Sequence, residues 1–304
     1  MSSAKWYQGL VALLIFGLLH SVALAANIGV TLYRVDASQF PKVRAYVGVV
    51  DSQGVPIEGL SKQAFELLEN DKSIPDFQVE SIVDSLEPIA MALVIDVSGS
   101  MKDENRMEGA KQAANAFIDT MGPRDTASVM SFSDKVEVVQ GYTSDKAALK
   151  AAIGKRAPKG DTALYDAIFQ AAQLQGALPQ HRKVLLVLTE GEDTKSGKSL
   201  DESIAAVRGA STLLIAIGLG AGIKKETLDK LASSTGGRAI AVSKPDQLKD
   251  IFFQIGDQLR RQYVLTYTSK LPGDDKSHTL TIKVNALGRS GEVKGPFTAK
   301  KTAL

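Results

Sequence analysis

The pattern of hydrophobic and polar positions changes twice along this chain, and each pattern predicts a different kind of structure. Between residues 27 and 85 the hydrophobic residues Val43, Ala45, Val47 and Val49 occupy every second position. A period of two is typical of a strand with one buried face. Turn-forming sequences at residues 51–54 and 69–72 separate such segments. We therefore expect a small β-sandwich-like module over residues 26–86.

A second pattern extends from about residue 88 to residue 261. Continuous hydrophobic runs at residues 89–95, 184–188 and 213–217 have the length of strands buried on both faces. Between them, hydrophobic residues recur with helical spacing, as in the set Met107, Ala110, Ala114, Phe117 and Met121. Strands that alternate with helices predict an α/β fold, doubly wound around a mostly parallel sheet, over residues 87–262. Such folds bind ligands at the carboxyl ends of their strands.

The last part of the chain, residues 263–304, returns to strand-like patterns. Residues 263–268 and 279–284 are expected to be strands, and residues 271–275 contain the Pro-Gly-Asp-Asp sequence of a loop. We expect a C-terminal β extension, a hairpin that packs against one of the other modules.

The first 25 residues have the pattern of an export signal. Lys5 is the one charged residue, a hydrophobic stretch follows at residues 10–24, and Ala23-Leu24-Ala25 provides a cleavage sequence. The alternative is an uncleaved membrane anchor. No later segment approaches the roughly 20 hydrophobic residues that span a bilayer. We therefore predict an exported protein, periplasmic or secreted, with no membrane span in the mature chain.

Composition excludes several classes of function. The 36 Lys and Arg residues balance 34 Asp and Glu residues, so no strong positive field is available for nucleic acid. The chain has no cysteine, which excludes disulfides and thiolate metal sites. The three histidines include His20 within the predicted signal. This scarcity argues against zinc sites and against Ser-His catalysis, so we predict that the protein is not an enzyme.

The candidate chemistry begins where the first buried strand ends, at Asp96-Val97-Ser98-Gly99-Ser100. One carboxylate and two hydroxyls stand at alternating positions, and Gly99 permits a tight turn between them. Oxygen ligands of this kind suit hard cations such as Mg²⁺ or Mn²⁺. Alternatively, Ser98 or Ser100 caps the helix that follows. The motif alone is compatible with both interpretations.

Two further segments extend the motif. Thr162 lies at the start of another amphipathic helix, and the buried strand 184–188 continues into Thr189-Glu190-Gly191. With these three segments in this order, residues 88–261 resemble the von Willebrand factor type A (VWA) family, which is related to the integrin inserted domains.

The resemblance implies a metal-ion-dependent adhesion site (MIDAS) built from residues of all three segments. Ser98 and Ser100 would contact the metal directly, Asp96 would act mainly through water, and Thr162 would alternate between direct and water-mediated contact. Glu190 stands where the family normally has the aspartate of a Thr-Asp-Gly sequence. Because glutamate is one methylene longer, Glu190 would either reach the metal directly, and so lower the residual charge of the site, or crowd it.

The function that follows from the resemblance is adhesion or protein binding. A divalent cation, with Mg²⁺ favoured and Mn²⁺ or Ca²⁺ as alternatives, would bridge the chain to an Asp or Glu carboxylate of a protein partner. The alternatives are a non-catalytic subunit of a larger envelope assembly or ATPase-linked machine and, less favoured, a serine hydrolase that uses Ser98.

Overall fold

A computed structural model describes residues 28–82, 87–180, 182–220 and 224–301 of the protein. The predicted export signal, residues 1–25, lies outside the described residues, as does His181. Within the described ranges, no helix is both long enough and hydrophobic enough to cross a membrane.

The elements fall into three groups along the chain. The N-terminal strands are β1 (Gly29–Gln39), β2 (Lys42–Val50), β3 (Phe65–Glu69), β4 (Lys72–Ile74) and β5 (Phe77–Ser81). Alternating elements follow: β6 (Ile89–Asp96), α1 (Arg106–Asp119), β7 (Thr126–Phe132), β8 (Val136–Thr143), α2 (Lys146–Gly154), α3 (Leu164–Gly176), β9 (Arg182–Thr189), α4 (Leu200–Gly209), β10 (Leu213–Leu219), α5 (Lys225–Ser233), β11 (Arg238–Val242) and α6 (Leu248–Arg260). The C-terminal strands are β12 (Gln262–Thr268), β13 (Ser277–Ala286) and β14 (Arg289–Thr298).

A six-stranded sheet forms the centre of the alternating region, in the order β11-β10-β9-β6-β7-β8. All neighbouring strands are parallel except β7 and β8, which are antiparallel. Every residue of β6 is buried. Its alternate side chains enter two separate cores, because Leu93 packs with residues of α1 and α6 and Val94 packs with residues of α3, α4 and α5. The predicted doubly wound α/β fold with a mostly parallel sheet is confirmed.

The remaining strands form two four-stranded sheets, β1-β2-β12-β5 and β14-β13-β3-β4. Both sheets contribute to one hydrophobic core, which includes Val47, Leu67, Leu265 and Ile282. Residues before and after the α/β region therefore build the same sandwich. A C-terminal hairpin is present, but β13 and β14 form it. The predicted first strand of that hairpin, β12, lies instead between β2 and β5, where both of its edges are hydrogen-bonded.

The sandwich joins the α/β region where α6 leads directly into β12. The side chain of Gln258 in α6 donates a hydrogen bond to the carbonyl oxygen of Gly54 at 2.7 Å. At the start of β9, the buried guanidinium of Arg182 donates to the carbonyl oxygen of Leu259 and to the side-chain oxygen of Gln262. These contacts fix the C-terminal end of α6 against the sandwich.

Candidate metal centre

The predicted site lies at the carboxyl ends of β6 and β9, the neighbouring strands from which the chain continues toward opposite sides of the sheet. Open α/β folds form their ligand-binding crevice at such a point. Asp96 is the last residue of β6 and Thr189 is the last residue of β9. The Thr189 hydroxyl donates to the Asp96 carboxylate at 2.7 Å. Thr189 was not among the predicted site residues, although it precedes Glu190 in the motif.

The serine loop that follows Asp96 is fastened by backbone hydrogen bonds on both sides. The Val97 nitrogen donates to the carbonyl oxygen of Phe132, and the Gly99 nitrogen donates to that of Gly160 at 2.9 Å. The Lys159 nitrogen donates in turn to the Val97 carbonyl oxygen at 2.7 Å. The loop containing Ser98 is thereby held against the segment that leads to Thr162.

The two serine hydroxyls lie together and do not cap a helix. Ser98 precedes a 3₁₀ helix, Gly99–Asn105, but its side chain makes no capping hydrogen bond. Ser100 lies inside that 3₁₀ helix, and α1 is preceded by Asn105 instead. The oxygens of Ser98 and Ser100 are 3.3 Å apart. The alternative in which these serines act as helix caps is therefore not what the structure shows.

Asp96 is fully buried and receives hydrogen bonds from neutral groups. Its carboxylate accepts from the Ser98 backbone nitrogen at 2.8 Å and from Thr189 on the other oxygen. Burial raises the pKa of Asp96, and the hydrogen bonds from Ser98 and Thr189 oppose that rise. Within the described residues, no cationic side chain contacts this carboxylate. A buried negative charge is thus left without a positive partner.

Thr162 is positioned by the loop that follows β9. Its nitrogen donates to the Thr194 hydroxyl at 3.0 Å, and its carbonyl oxygen accepts from the nitrogens of Thr194 and Lys195. The Thr162 hydroxyl oxygen lies 3.9 Å from the position that a β-carbon on Gly191 would occupy. The hydroxyl of this buried threonine therefore faces the chain directly after Glu190.

Glu190 forms an ion pair that was not predicted from the sequence. Its buried carboxylate contacts the guanidinium of Arg106, the first residue of α1. The longer glutamate side chain was expected either to contact the metal directly or to crowd the site. Neither expectation included a positively charged partner for Glu190. The sequence offered one weak signal, an arginine six residues after Ser100 at the start of the following helix.

The donor groups fit a hard divalent cation. Across residues 28–82, 87–180, 182–220 and 224–301, no group of three or more His, Cys, Asp or Glu side chains is arranged to hold a metal. A cation at this edge of the sheet would thus depend on hydroxyl oxygens. The hydroxyls of Ser98, Ser100 and Thr162 with the carboxylate of Asp96 are the neutral and anionic oxygen ligands that Mg²⁺ accepts.

Comparison with known families gives a match over the region that contains this candidate site. The family model described as von Willebrand factor type A domain matches residues 91–192, a range that includes all five predicted ligand residues. Residues 91–192 belong to the VWA family. VWA domains mediate protein interactions and are typically non-catalytic.

Relatives of known sequence or structure share parts of the chain. A protein named UPF0353 from Mycolicibacterium vanbaalenii is 28% identical over 198 residues, which are 55% of this chain and 59% of the relative. The chain thus spans less than two thirds of the length of that relative. A solved von Willebrand factor type A protein from Catenulispora acidiphila has the same fold, with a TM-score of 0.53 at 14% identity over 92% of this chain and 75% of its own.

A third relative bears on the metal. Proximal thread matrix protein 1 from the mussel byssus was solved with a zinc-occupied MIDAS motif. It is 25% identical to this chain, with a TM-score of 0.53, and the match covers 62% of this chain and 49% of the mussel protein. Divalent metal binding at a MIDAS is therefore a property of a structural relative of this VWA domain.

Proposed function

We propose that this chain is an exported, non-catalytic binding protein whose VWA domain holds a divalent cation, preferably Mg²⁺, at Asp96, Ser98, Ser100 and Thr162, with Glu190 beside the site. When bound, the cation would supply an open coordination position for a carboxylate of a protein partner. The observation that carries the proposal is the pairing of a fully buried, uncompensated Asp96 with two serine hydroxyls that cap no helix.

The electrostatics of Asp96 favour a cation. Burial of an ionised carboxylate is costly unless a positive group lies close to it. The hydrogen bonds from Ser98 and Thr189 reduce that cost but carry no charge. The Ser98 and Ser100 oxygens can turn their lone pairs toward a metal, because a hydroxyl both donates and accepts.

The charge around the site favours an acidic partner. At the rim, Glu192 forms an ion pair with Lys224 at 2.6 Å, and Asp161 lies 3.9 Å from Lys195. These exposed pairs are close to neutral in sum. With Asp96 as the one unpaired carboxylate among the described site residues, a divalent ion would retain about one positive charge, which attracts an external carboxylate.

The described surroundings of Ser98 contain no histidine that could act as a base for hydrolysis. Among the described residues, the one histidine is His278, whose ring nitrogens bond to Asn70 and Asp274 in the sandwich. A serine nucleophile of the Ser-His type needs a histidine within hydrogen-bond reach. We therefore retain the non-catalytic proposal over the hydrolase.

Calorimetric titration of the mature protein with Mg²⁺, Mn²⁺ and Ca²⁺ tests the cation site. The wild type should release or absorb heat, whereas Ser98→Ala should bind at least about tenfold more weakly, because one oxygen ligand is lost. Ser269→Ala is the matched control, since Ser269 is a buried serine in the sandwich. Equal binding by the wild type and Ser98→Ala would contradict the proposed ligand set.

Capture of partners from the exported fraction tests the bridging role. The immobilised wild-type chain should retain a protein in the presence of Mg²⁺ and lose it when a chelator is added. The Ser98→Ala chain should retain little of that protein under either condition. Retention by wild type that is unaffected by the chelator would show that the contact lies elsewhere.

A further inference from the structure

We propose that Arg106 competes with the metal for Glu190. Its guanidinium binds the Glu190 carboxylate, which is then not available as a second carboxylate ligand of the cation. This inference rests on the proposed cation site. It assigns Arg106 as the residue that sets how tightly the site binds the cation and how much positive charge the bound cation presents to a partner.

The pair between Arg106 and Glu190 is shielded from solvent. The Arg106 side chain is 18% exposed and that of Glu190 is 4% exposed. Solvent therefore screens this pair much less than it screens the exposed pairs at the rim. Hydrogen bonds between a guanidinium and a carboxylate are among the strongest in proteins. A cation that recruited Glu190 would first have to displace Arg106.

The fold positions the Arg106 guanidinium beside Glu190. Arg106 begins α1, directly after the 3₁₀ helix that contains Ser100, and Glu190 directly follows β9. On another side lies Gly220, where a β-carbon would approach an Arg106 nitrogen to 3.6 Å. The arginine is therefore fixed by elements of the same sheet edge as Asp96.

The carboxylates of Asp96 and Glu190 consequently have different roles. Asp96 remains available to a cation, whereas Glu190 is neutralised by Arg106. If both carboxylates served the metal, a divalent ion would be neutralised and would lose its attraction for an external anion. With Arg106 paired to Glu190, the site binds the cation less tightly, but the bound cation retains its attraction for an external anion.

Titration of Mg²⁺ into Arg106 variants tests this assignment. Arg106→Gln should bind Mg²⁺ at least about tenfold more tightly than the wild type, because Glu190 becomes available to the cation. The increase in melting temperature on addition of Mg²⁺ should grow in parallel. Arg106→Lys keeps the positive charge and should remain within about threefold of the wild-type affinity.

Arg260→Gln is the matched control. Arg260 pairs with Asp125, whose side chain is 5% exposed, and Asp125 also accepts from the nitrogen of Ile89. This pair lies beside Ile89 at the opposite end of β6, and the seven residue steps from Ile89 to Asp96 span about 23 Å. Its removal should lower stability without altering Mg²⁺ affinity.

The double variant Arg106→Gln/Glu190→Gln keeps the test decisive if the single variant does not fold. It replaces a neutral ion pair by two neutral amides of similar size, so its affinity should stay within about threefold of the wild type. An affinity at least about tenfold weaker would show that Glu190 already serves the metal, and would overturn the inference.

The outcomes separate this inference from the proposed function. Unchanged or weaker Mg²⁺ binding by a folded Arg106→Gln variant overturns the inference alone, provided that the wild type binds Mg²⁺ and Ser98→Ala binds it more weakly. No binding by the wild type, Arg106→Gln or the double variant overturns both. Binding by Arg106→Gln but not by the wild type supports the inference and shows that the competition is strong.

Discussion

Gly160 connects the serine loop to the segment carrying Thr162, and its replacement by alanine tests whether that connection positions the site. Its carbonyl oxygen accepts from the Gly99 nitrogen at 2.9 Å. Its φ of +77° lies in the left-handed region that favours glycine. A β-carbon here would approach a carboxylate oxygen of Asp134 to 2.4 Å, and that carboxylate accepts from the Asp161 nitrogen.

The expected loss of stability follows from these two features. An alanine in the left-handed region costs about 1–2 kcal/mol, of which about 0.4–1 kcal/mol is offset by the lower entropy of the unfolded chain. Displacement of the exposed Asp134 carboxylate adds about 0.5–1.5 kcal/mol for the lost hydrogen bond. Gly160→Ala should therefore lower the free energy of unfolding by about 1–3 kcal/mol.

Gly288→Ala separates the two terms. Gly288 has a φ of +71°, but a β-carbon there would meet nothing within 4 Å. It should cost only about 1 kcal/mol in urea unfolding with chelator present. Calorimetry should then show weaker Mg²⁺ binding for Gly160→Ala and unchanged binding for Gly288→Ala. Equal unfolding free energies and equal affinities for the two variants would refute the reasoning.

Three further predictions concern charge and the junction with the sandwich. Asp96→Asn should abolish Mg²⁺ binding yet stabilise the metal-free protein. Burial raises the folded pKa of Asp96, so the wild type loses stability as the pH rises through that value. When unfolding is measured with chelator from pH 4 to pH 7, the free energy of unfolding of the variant should increasingly exceed that of the wild type. No such growth would contradict the pKa argument. Arg182→Met should lower the free energy of unfolding, measured in urea, by about 3 kcal/mol, because buried oxygens including that of Leu259 lose their donor. A loss below about 1 kcal/mol would contradict this expectation. Amide exchange in α6 should be the same with and without Mg²⁺, because Gln258 bonds to Gly54 in the sandwich, and loss of protection there on metal addition would count against a fixed helix.

The fold class could be predicted from the sequence because strands that are buried on both faces appear as continuous hydrophobic runs. The strand at 89–95 and the helical spacing from Met107 to Phe117 each reflect a local period, and both elements occur as expected. Strand partners could not be read in this way. The alternation in β12 is equally compatible with a hairpin to β13 and with its observed place between β2 and β5, since partner choice depends on residues more than 180 positions away.

The site shows the same limit. The motif at Asp96 and Ser98 is contiguous, so its spacing alone suggested chemistry, and the serine hydroxyls are indeed side by side. The pair between Arg106 and Glu190 joins positions 84 residues apart. Neither residue type signals the other, because arginine and glutamate are both common on exposed helices and loops. Only the arrangement of strand ends brings them together.

The most direct test of the proposed site is a crystal structure of the mature protein soaked with Mn²⁺, in which anomalous scattering locates the ion. We predict a peak within about 2.5 Å of the hydroxyl oxygens of Ser98 and Ser100, with Asp96 and Thr162 beside it and Glu190 still paired with Arg106. A peak bound directly by Glu190 with Arg106 displaced would contradict the division between the two carboxylates. The absence of any peak at the carboxyl end of β6 would contradict the cation site itself.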